Sequence, residues 1–222
     1  MTHRAAIFMM GVLLTNALPV FSGAWADSGQ TIAAIPAEDY VLYDQVMTRM
    51  FLTSATRLVV IERMTRLRLS PDQEGPTTAS QLLDPGFFNG ELPLDLTGEF
   101  IVLNRQSSRL EGKFHFGVGY RFATGEMIEE PEVSLGQPVT GHFVRPVQVS
   151  AILGRLAFSR VARTLRNDQA LVYVDVLRPD DTGAGFLIWF HRLGQAWTIM
   201  DTEVVWTIQP REEGDYDSLL AP

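Results

Sequence analysis

Two C-terminal stretches decide the fold: residues 156–177, LAFSRVARTLRNDQALVYVDVL, and residues 185–208, GFLIWFHRLGQAWTIMDTEVVWTI. In each stretch, two runs rich in β-branched and aromatic residues flank a short polar pair, Asn167-Asp168 in the first and Gly194-Gln195 in the second. Such pairs tolerate the left-handed conformations of tight turns. With the loop RPDDTGAG at 178–185 between them, the pattern predicts an antiparallel meander of four strands.

The N-terminal half predicts one helix followed by one buried strand. In residues 36–51, PAEDYVLYDQVMTRMF, apolar side chains recur at i and i+4 in two adjacent stripes, as in a helix that buries one face. Residues 56–69, TRLVVIERMTRLRL, are rich in β-branched residues, and positions 59–61 indicate a buried strand. The arginines that follow this strand predict an exposed continuation: Arg63, Arg66 and Arg68.

Three weaker patterns lie between this strand and the meander. Residues 77–88 and 94–105 predict short helices, and residues 114–123 predict a strand with a bulge. The complete pattern predicts an α+β fold with an N-terminal helix packed on a curved, mostly antiparallel sheet that ends in the four-stranded meander. Helices gathered on one face of such a sheet would create a concave apolar pocket.

The predicted turns also predict which residues face each other. A two-residue turn at Asn167-Asp168 places Arg160 opposite Asp175. That juxtaposition suits either an ion pair on the sheet face or an arginine that binds an anionic ligand. The same rule applied to the second hairpin places Asp201 opposite Ile188 and Glu203 opposite Phe186, and Phe190 opposite Ile199.

These pairings define the candidate site residues. Asp201 and Glu203 share a face that is otherwise apolar, so either they line a wet cavity or a bulge rotates them outward. In a cavity, they suit general acid–base catalysis. His191 falls on the other face beside Trp189, where a structural and a catalytic role are both open. The candidate ligand-binding residues are Arg160, Asp175 and Trp189.

Composition excludes several classes of function. The chain has 222 residues, a formal net charge of −8 and no cysteine. An acidic chain does not predict a nucleic-acid groove, which needs a basic stripe. Without cysteine there is no disulfide, thiol catalysis or zinc–thiolate site. The histidines at 3, 115, 142 and 191 lack metal-ligand spacing, and no nucleotide or dinucleotide motif occurs, so we expect neither a metal nor a cofactor.

The first residues predict export. Residues 1–26 combine a basic start, an apolar run and the small-x-small sequence Ala24-Trp25-Ala26, which predicts cleavage between Ala26 and Asp27. An uncleaved anchor is the alternative. We expect a single domain over 27–209, an acidic flexible tail over 210–222, and no transmembrane segment after signal removal, because no later apolar run has the necessary length.

The C-terminal half resembles a group of small exported bacterial proteins of unknown function. The matching elements are an S-R-V strand, an A-L-V-Y-V strand, a loop with G-x-G, an aromatic strand and a final strand with tryptophan. In this chain they correspond to Ser159-Arg160-Val161, residues 170–174, Gly183 and Gly185, Phe190 and Trp197. The resemblance implies bacterial export and one α+β domain, and it carries over no catalytic residue.

Two functions are compatible with these observations. The first is a periplasmic or secreted, non-catalytic binding or interaction module whose partner is an unknown protein or small molecule of the cell envelope. The second is a small periplasmic enzyme, a hydrolase or isomerase, that uses Asp201 or Glu203 in an apolar pocket. The position of those two carboxylates relative to a cavity distinguishes the alternatives.

Overall fold

The first secondary-structure element of the described residues is the N-terminal helix. A computed structural model describes residues 34–129 and 152–209. The predicted signal segment, its cleavage site at Ala26 and Asp27, and the predicted tail over 210–222 lie outside the described residues. None of the described helices has both the length and the apolar character that a bilayer span requires.

The helices and strands follow one another in the order that the sequence pattern predicts. Helix α1 covers Ala37–Val46 and continues as one turn of π-helix, and α2 and α3 are short. The remaining helical bounds are Met47–Phe51 for the π-turn, Ala79–Leu83 for α2, Phe87–Gly90 for a 3-10 turn and Leu94–Leu103 for α3. The strand bounds are Leu58–Glu62 for β1, Gly119–Thr124 for β2, Met127–Ile128 for β3, Ile152–Phe158 for β4, Ala162–Arg163 for β5, Gln169–Leu177 for β6, Gly183–Leu193 for β7 and Ala196–Ile208 for β8.

The eight strands within residues 34–129 and 152–209 form one mixed sheet. Its order is β3-β2-β1-β4-β6-β7-β8, and β5 pairs with β6 beside this path. Strand β1 is parallel to both β2 and β4, whereas the other pairs are antiparallel. Strands β4, β6, β7 and β8 lie side by side in the sheet as antiparallel neighbours, as in a meander, although the short β5 comes between β4 and β6 in the chain.

The predicted fold class is wrong. The structure is predominantly β, with 22% of residues helical and 37% in strands, and the sheet is mixed rather than mostly antiparallel. The physical reason lies in the connection from β1 to β2. Parallel neighbours need a long crossover, and here α2, the 3-10 turn and α3 supply it. Sequence patterns predict these helices but not the direction in which the chain returns to the sheet.

The helices cover both faces of the sheet, not one. Side chains of β6 alternate between two cores: Val172 and Val174 pack with α1, and Leu171 and Tyr173 pack with α2 and α3. We call the α1 side the first face and the α3 side the second face. Seven consecutive residues inside β6 are therefore buried, as in central strands of sheets that are covered on both sides.

The first predicted hairpin register is wrong because the turn is longer than two residues. Thr164 and Gln169 close the turn, with the Thr164 N–H donating to the Gln169 carbonyl at 3.1 Å. Asn167 does adopt a left-handed conformation, with φ of 53°. The two additional turn residues change the register, so Ala162 lies opposite Leu171.

The second hairpin follows the predicted register only near its turn. Phe190 lies opposite Ile199, as predicted. A bulge then adds one residue to β8, so Asp201 lies opposite Trp189 instead of Ile188, and Glu203 lies opposite Leu187 instead of Phe186. A one-residue change in pairing moves side chains to the other face of the sheet.

Candidate functional site

Neither of the two carboxylates proposed as catalytic, Asp201 and Glu203, lines the pocket that is described below. The β8 bulge places Asp201 on the second face, where it is exposed and accepts a hydrogen bond from the N–H of Thr202. Glu203 accepts a hydrogen bond of 2.9 Å from the N–H of Phe88, in the 3-10 turn. Glu203 therefore holds a tight turn against the sheet.

His191 and Trp189 also have structural surroundings. His191 is half-buried near the end of β7, opposite Thr198. Trp189 is buried, its indole N–H donates to Gln169 Oε1 at 2.9 Å, and its ring meets Phe88 edge to face at 5.5 Å. Neither residue lines the pocket that is described below.

Arg160 lies in a buried polar cluster rather than opposite Asp175. Its Nη1 donates to Ser108 Oγ at 3.3 Å. Nearby, Asp39 is only 1% exposed and forms an ion pair of 2.5 Å with Arg163. Three atoms in this cluster are buried without a hydrogen-bond partner among the described residues: Asp39 Oδ2, Arg160 Nε and Arg163 Nη2. Burial raises the pKa of Asp39, and Arg163 opposes that rise.

Asp175 is the sequence candidate that does border a pocket. It lies on the second face of β6, opposite Ala157, and its partner is Arg66 rather than Arg160. Arg66 Nε and Nη2 contact the two carboxylate oxygens at 3.0 and 3.4 Å. The Asp175 side chain is 7% exposed and the Arg66 side chain 38% exposed, so the arginine covers the carboxylate from the solvent side.

A tyrosine and a tryptophan extend this polar group across the sheet. The Trp206 indole N–H donates to Tyr173 Oη at 2.7 Å, and Tyr173 interacts in turn with the Asp175 carboxylate. The indole reaches Tyr173 by crossing β7 at Gly183 and Gly185. A Cβ at Gly185 would overlap Trp206 Nε1 and would lie only 2.6 Å from Tyr173 Oη. Glycine is therefore required at position 185 for this contact.

Arg66, Asp175 and Trp206 line a pocket of about 490 Å³ on the second face of the sheet. The segment after β1 lines one side, and the ends of β6 and β8 line the other. Glu62 also lines it and is paired with Arg155 at 3.2 Å. Arg68 adds a second guanidinium group to the lining, and the remaining lining residues provide apolar and hydroxyl groups: Met64, Leu67, Pro71, Leu177, Thr65, Ser70 and Ser107. The volume falls within the range of about 300–1,000 Å³ that is typical of small-molecule sites.

Burial controls the electrostatics of the pocket. Desolvation raises the pKa of Asp175, while Arg66 and the Tyr173 hydroxyl oppose that rise by stabilising the carboxylate. Desolvation likewise raises the pKa of Tyr173 far above its ordinary value, and the neighbouring Asp175 carboxylate acts in the same direction. Tyr173 therefore remains a neutral hydrogen-bonding group throughout the physiological pH range.

Sequence analysis misses two residues of this site. The sequence pattern places Arg66 on an exposed continuation of β1, because its partner Asp175 lies 109 residues away along the chain. It includes Trp206 in the last strand without a role. The G-x-G sequence at Gly183 and Gly185 is the signal that points to Trp206, because paired glycines on one strand face mark a close approach by a neighbouring side chain. Arg63, also expected to be exposed, is buried against Leu110.

Within residues 34–129 and 152–209, no group of three or more histidine, aspartate or glutamate side chains is placed to hold a metal ion. His142 lies outside these ranges. His115 is exposed, and its backbone N–H donates to the Asp44 carboxylate.

No protein-family model, curated protein or solved structure matches this chain. The resemblance to small exported bacterial proteins therefore stays a prediction. The functional argument depends on the geometry of the pocket.

Proposed function

We propose that this chain is an exported, non-catalytic binding module whose ligand is a small molecule held in the pocket beside Asp175. The export part of the proposal depends on the sequence of residues 1–26, and its test is given in the Discussion. The binding part depends on the pocket itself.

The pairing of both pocket carboxylates with arginines is the single observation that supports binding over catalysis. Each carboxylate that lines the pocket already has a cationic partner, Arg66 for Asp175 and Arg155 for Glu62. A general acid or base needs a carboxyl group that can exchange protons with a substrate. Paired carboxylates instead orient the arginines and give the pocket a fixed shape, which favours ligand binding without chemistry.

The indole N–H of Trp206 provides a direct test. Trp206 lines the pocket, whereas Trp189 is buried elsewhere on the second face and Trp197 packs at the edge of the first-face core. We expect that a library of small fragments of mixed charge, added to the ¹⁵N-labelled protein, shifts the Trp206 indole signal. The Trp189 and Trp197 signals should stay in place.

A matched pair of variants controls for non-specific effects. Ser70 lines the pocket, so Ser70→Phe should fill it and abolish the shift. Ser80, on the exposed side of α2, gives the control Ser80→Phe, which should respond like the parent protein. The proposal is wrong if no fragment moves the Trp206 signal, or if Ser70→Phe leaves the response unchanged.

A further inference from the structure

The charge balance at the pocket differs in sign from that of the whole chain. The chain carries a formal charge of −8. The pocket lining carries two carboxylates, those of Glu62 and Asp175, and two guanidinium groups, those of Arg66 and Arg68. Because Arg155, outside the lining, is the ion-pair partner of Glu62 and Arg66 that of Asp175, the guanidinium charge of Arg68 is left without a carboxylate partner among the described residues. A local cationic surplus on an acidic protein favours an anionic ligand there and disfavours a cationic one.

Two of these arginines have donors available. Arg66 uses Nε and Nη2 on Asp175, and its Nη1 has no partner among the described residues. Arg68 is exposed and has no ion pair or hydrogen bond within the described part of the chain. Because Asp175 fixes the plane of the Arg66 guanidinium, one donor at the pocket is held in place before a ligand arrives. Pre-organised guanidinium donors bind carboxylate or phosphate oxygens through charge-assisted hydrogen bonds.

The opposite part of the pocket is apolar. The Trp206 ring is held by its hydrogen bond to Tyr173, and the side chains of Leu177 and Met64 also line the pocket. All three side chains are only partly buried, so they present apolar surface to the cavity. An inorganic anion would leave this surface in contact with water, whereas an anion with an apolar body would cover it.

We propose that the pocket binds an amphipathic anion, with its anionic group on Arg66 Nη1 and Arg68 and its apolar body against Trp206, Leu177 and Met64. This inference rests on the proposed function, since it specifies the ligand of the same site. The anionic group is a carboxylate or a phosphate, which present the same kind of acceptor oxygens to arginine.

Four probes of graded chemistry test the inference. Phenylacetate combines an anion with an apolar body, phenylacetamide is its neutral counterpart, phenethylammonium is a cation of similar size, and acetate lacks the apolar body. Dissociation constants come from titration of the Trp206 indole signal. We expect phenylacetate to bind about tenfold more tightly than phenylacetamide, from one net charge-assisted contact. Phenethylammonium and acetate should bind more weakly than both.

Variants of two exposed arginines then locate the anionic group. Arg68→Gln should reduce the preference for phenylacetate over phenylacetamide to less than about twofold, because the charge-assisted contact is lost. Arg49, exposed on the π-turn of the first face, gives the control Arg49→Gln, which should keep the full preference.

The outcomes separate this inference from the proposed function. Equal binding of phenylacetate and phenylacetamide, or preference for phenethylammonium, would overturn the inference and leave a binding pocket for another class of ligand. Equal binding of acetate and phenylacetate would also overturn it, because the apolar body would then contribute nothing. If none of these probes and no fragment shifts Trp206, the proposed function is wrong together with the inference.

Discussion

Gly185 is the residue at which the backbone of the sheet makes room for the candidate site. Trp206 reaches Tyr173 only because β7 has no side chain there. The hydrogen bond that results links β8 to β6 across the intervening strand. Both the indole that lines the pocket and the tyrosine beside Asp175 therefore depend on one missing methyl group.

Gly185→Ala should destabilise the protein by about 1–3 kcal/mol, because the new Cβ overlaps the indole and forces it away from Tyr173. Gly98, inside α3, has no neighbouring atom within 4 Å of the position that a Cβ would take, and it gives the control Gly98→Ala. That substitution should be neutral or stabilise by up to about 1 kcal/mol through helix propensity. Urea denaturation measures the free energy of unfolding of both variants. Equal stability of the two variants would show that Trp206 does not cross β7 at Gly185.

Arg163 is a second residue whose removal has a specific signature. Asp39 is buried, and desolvation already raises its pKa against the opposing effect of Arg163. In Arg163→Met, the opposing effect is gone, and the buried carboxyl group binds its proton more tightly in the folded state than in the unfolded state. The contribution of Asp39 protonation to stability is then fully present below the unfolded-state pKa of 3.8. It is lost as the pH rises through the higher pKa of the folded state.

We therefore expect Arg163→Met to lower the free energy of unfolding by about 3 kcal/mol at neutral pH. Part of this loss should be recovered at pH 4. Arg166, exposed in the turn between β5 and β6, gives the control Arg166→Met. The two denaturation series should diverge as the pH rises from 4 to 7. Parallel series would contradict the buried pairing of Arg163 with Asp39.

At the scale of elements, the bulge in β8 determines which of its side chains lie on the second face. The bulge turns Glu203 towards the second face, where it accepts the Phe88 N–H. Phe88 has a φ of 55°, a left-handed conformation that is rare for a bulky side chain. Glu203 thus contributes to holding a strained turn against the sheet.

Glu203→Ala should cost about 1–2 kcal/mol, because the N–H of Phe88 loses its acceptor. Hydrogen exchange at the Phe88 amide should accelerate. Glu203→Gln keeps an acceptor oxygen and should lose less, and Asp201→Ala, at an exposed position of the same strand, should be nearly neutral. A larger loss of stability in Asp201→Ala than in Glu203→Ala would contradict the position of the bulge in β8.

The elements themselves are largely predictable, because hydrophobic periodicity is a local signal. Helix α1, strand β1 and the pairing of Phe190 with Ile199 follow from sequence spacing alone. The sequence allows a bulge in β8 but does not locate it, since a single extra residue leaves the alternation of apolar residues nearly unchanged. The pairing of Asp175 with Arg66 joins distant segments, and no local pattern contains it.

At the scale of the whole molecule, export is the prediction that depends least on the fold. When the chain is expressed in a bacterial host, the mature protein recovered from the periplasm should begin at Asp27, because Ala24-Trp25-Ala26 has the small-x-small form of a cleavage site. Intact-mass spectrometry measures this directly. Recovery of protein that retains Met1 would show that residues 1–26 are not removed.

Because helices cover both faces of the sheet, the pocket is a confined opening in an otherwise covered face. Helix α1 protects the first face and α3 the second, so the pocket beside Asp175 is a defined opening on the second face rather than part of a bare sheet. If both helices lay on one face, the opposite face would expose its apolar residues, and a broad interaction surface would replace the pocket.

A distance between α1 and α3 tests this cover most directly. The chain has no cysteine, so Val41→Cys and Val102→Cys create unique sites for spin labels, and both valines are exposed. Two packed layers of about 10 Å each, plus the helix diameter, place outward-facing labels about 30 Å apart or more. Pulsed electron paramagnetic resonance should give that distance. A distance below about 20 Å would place both helices on one face and contradict the account.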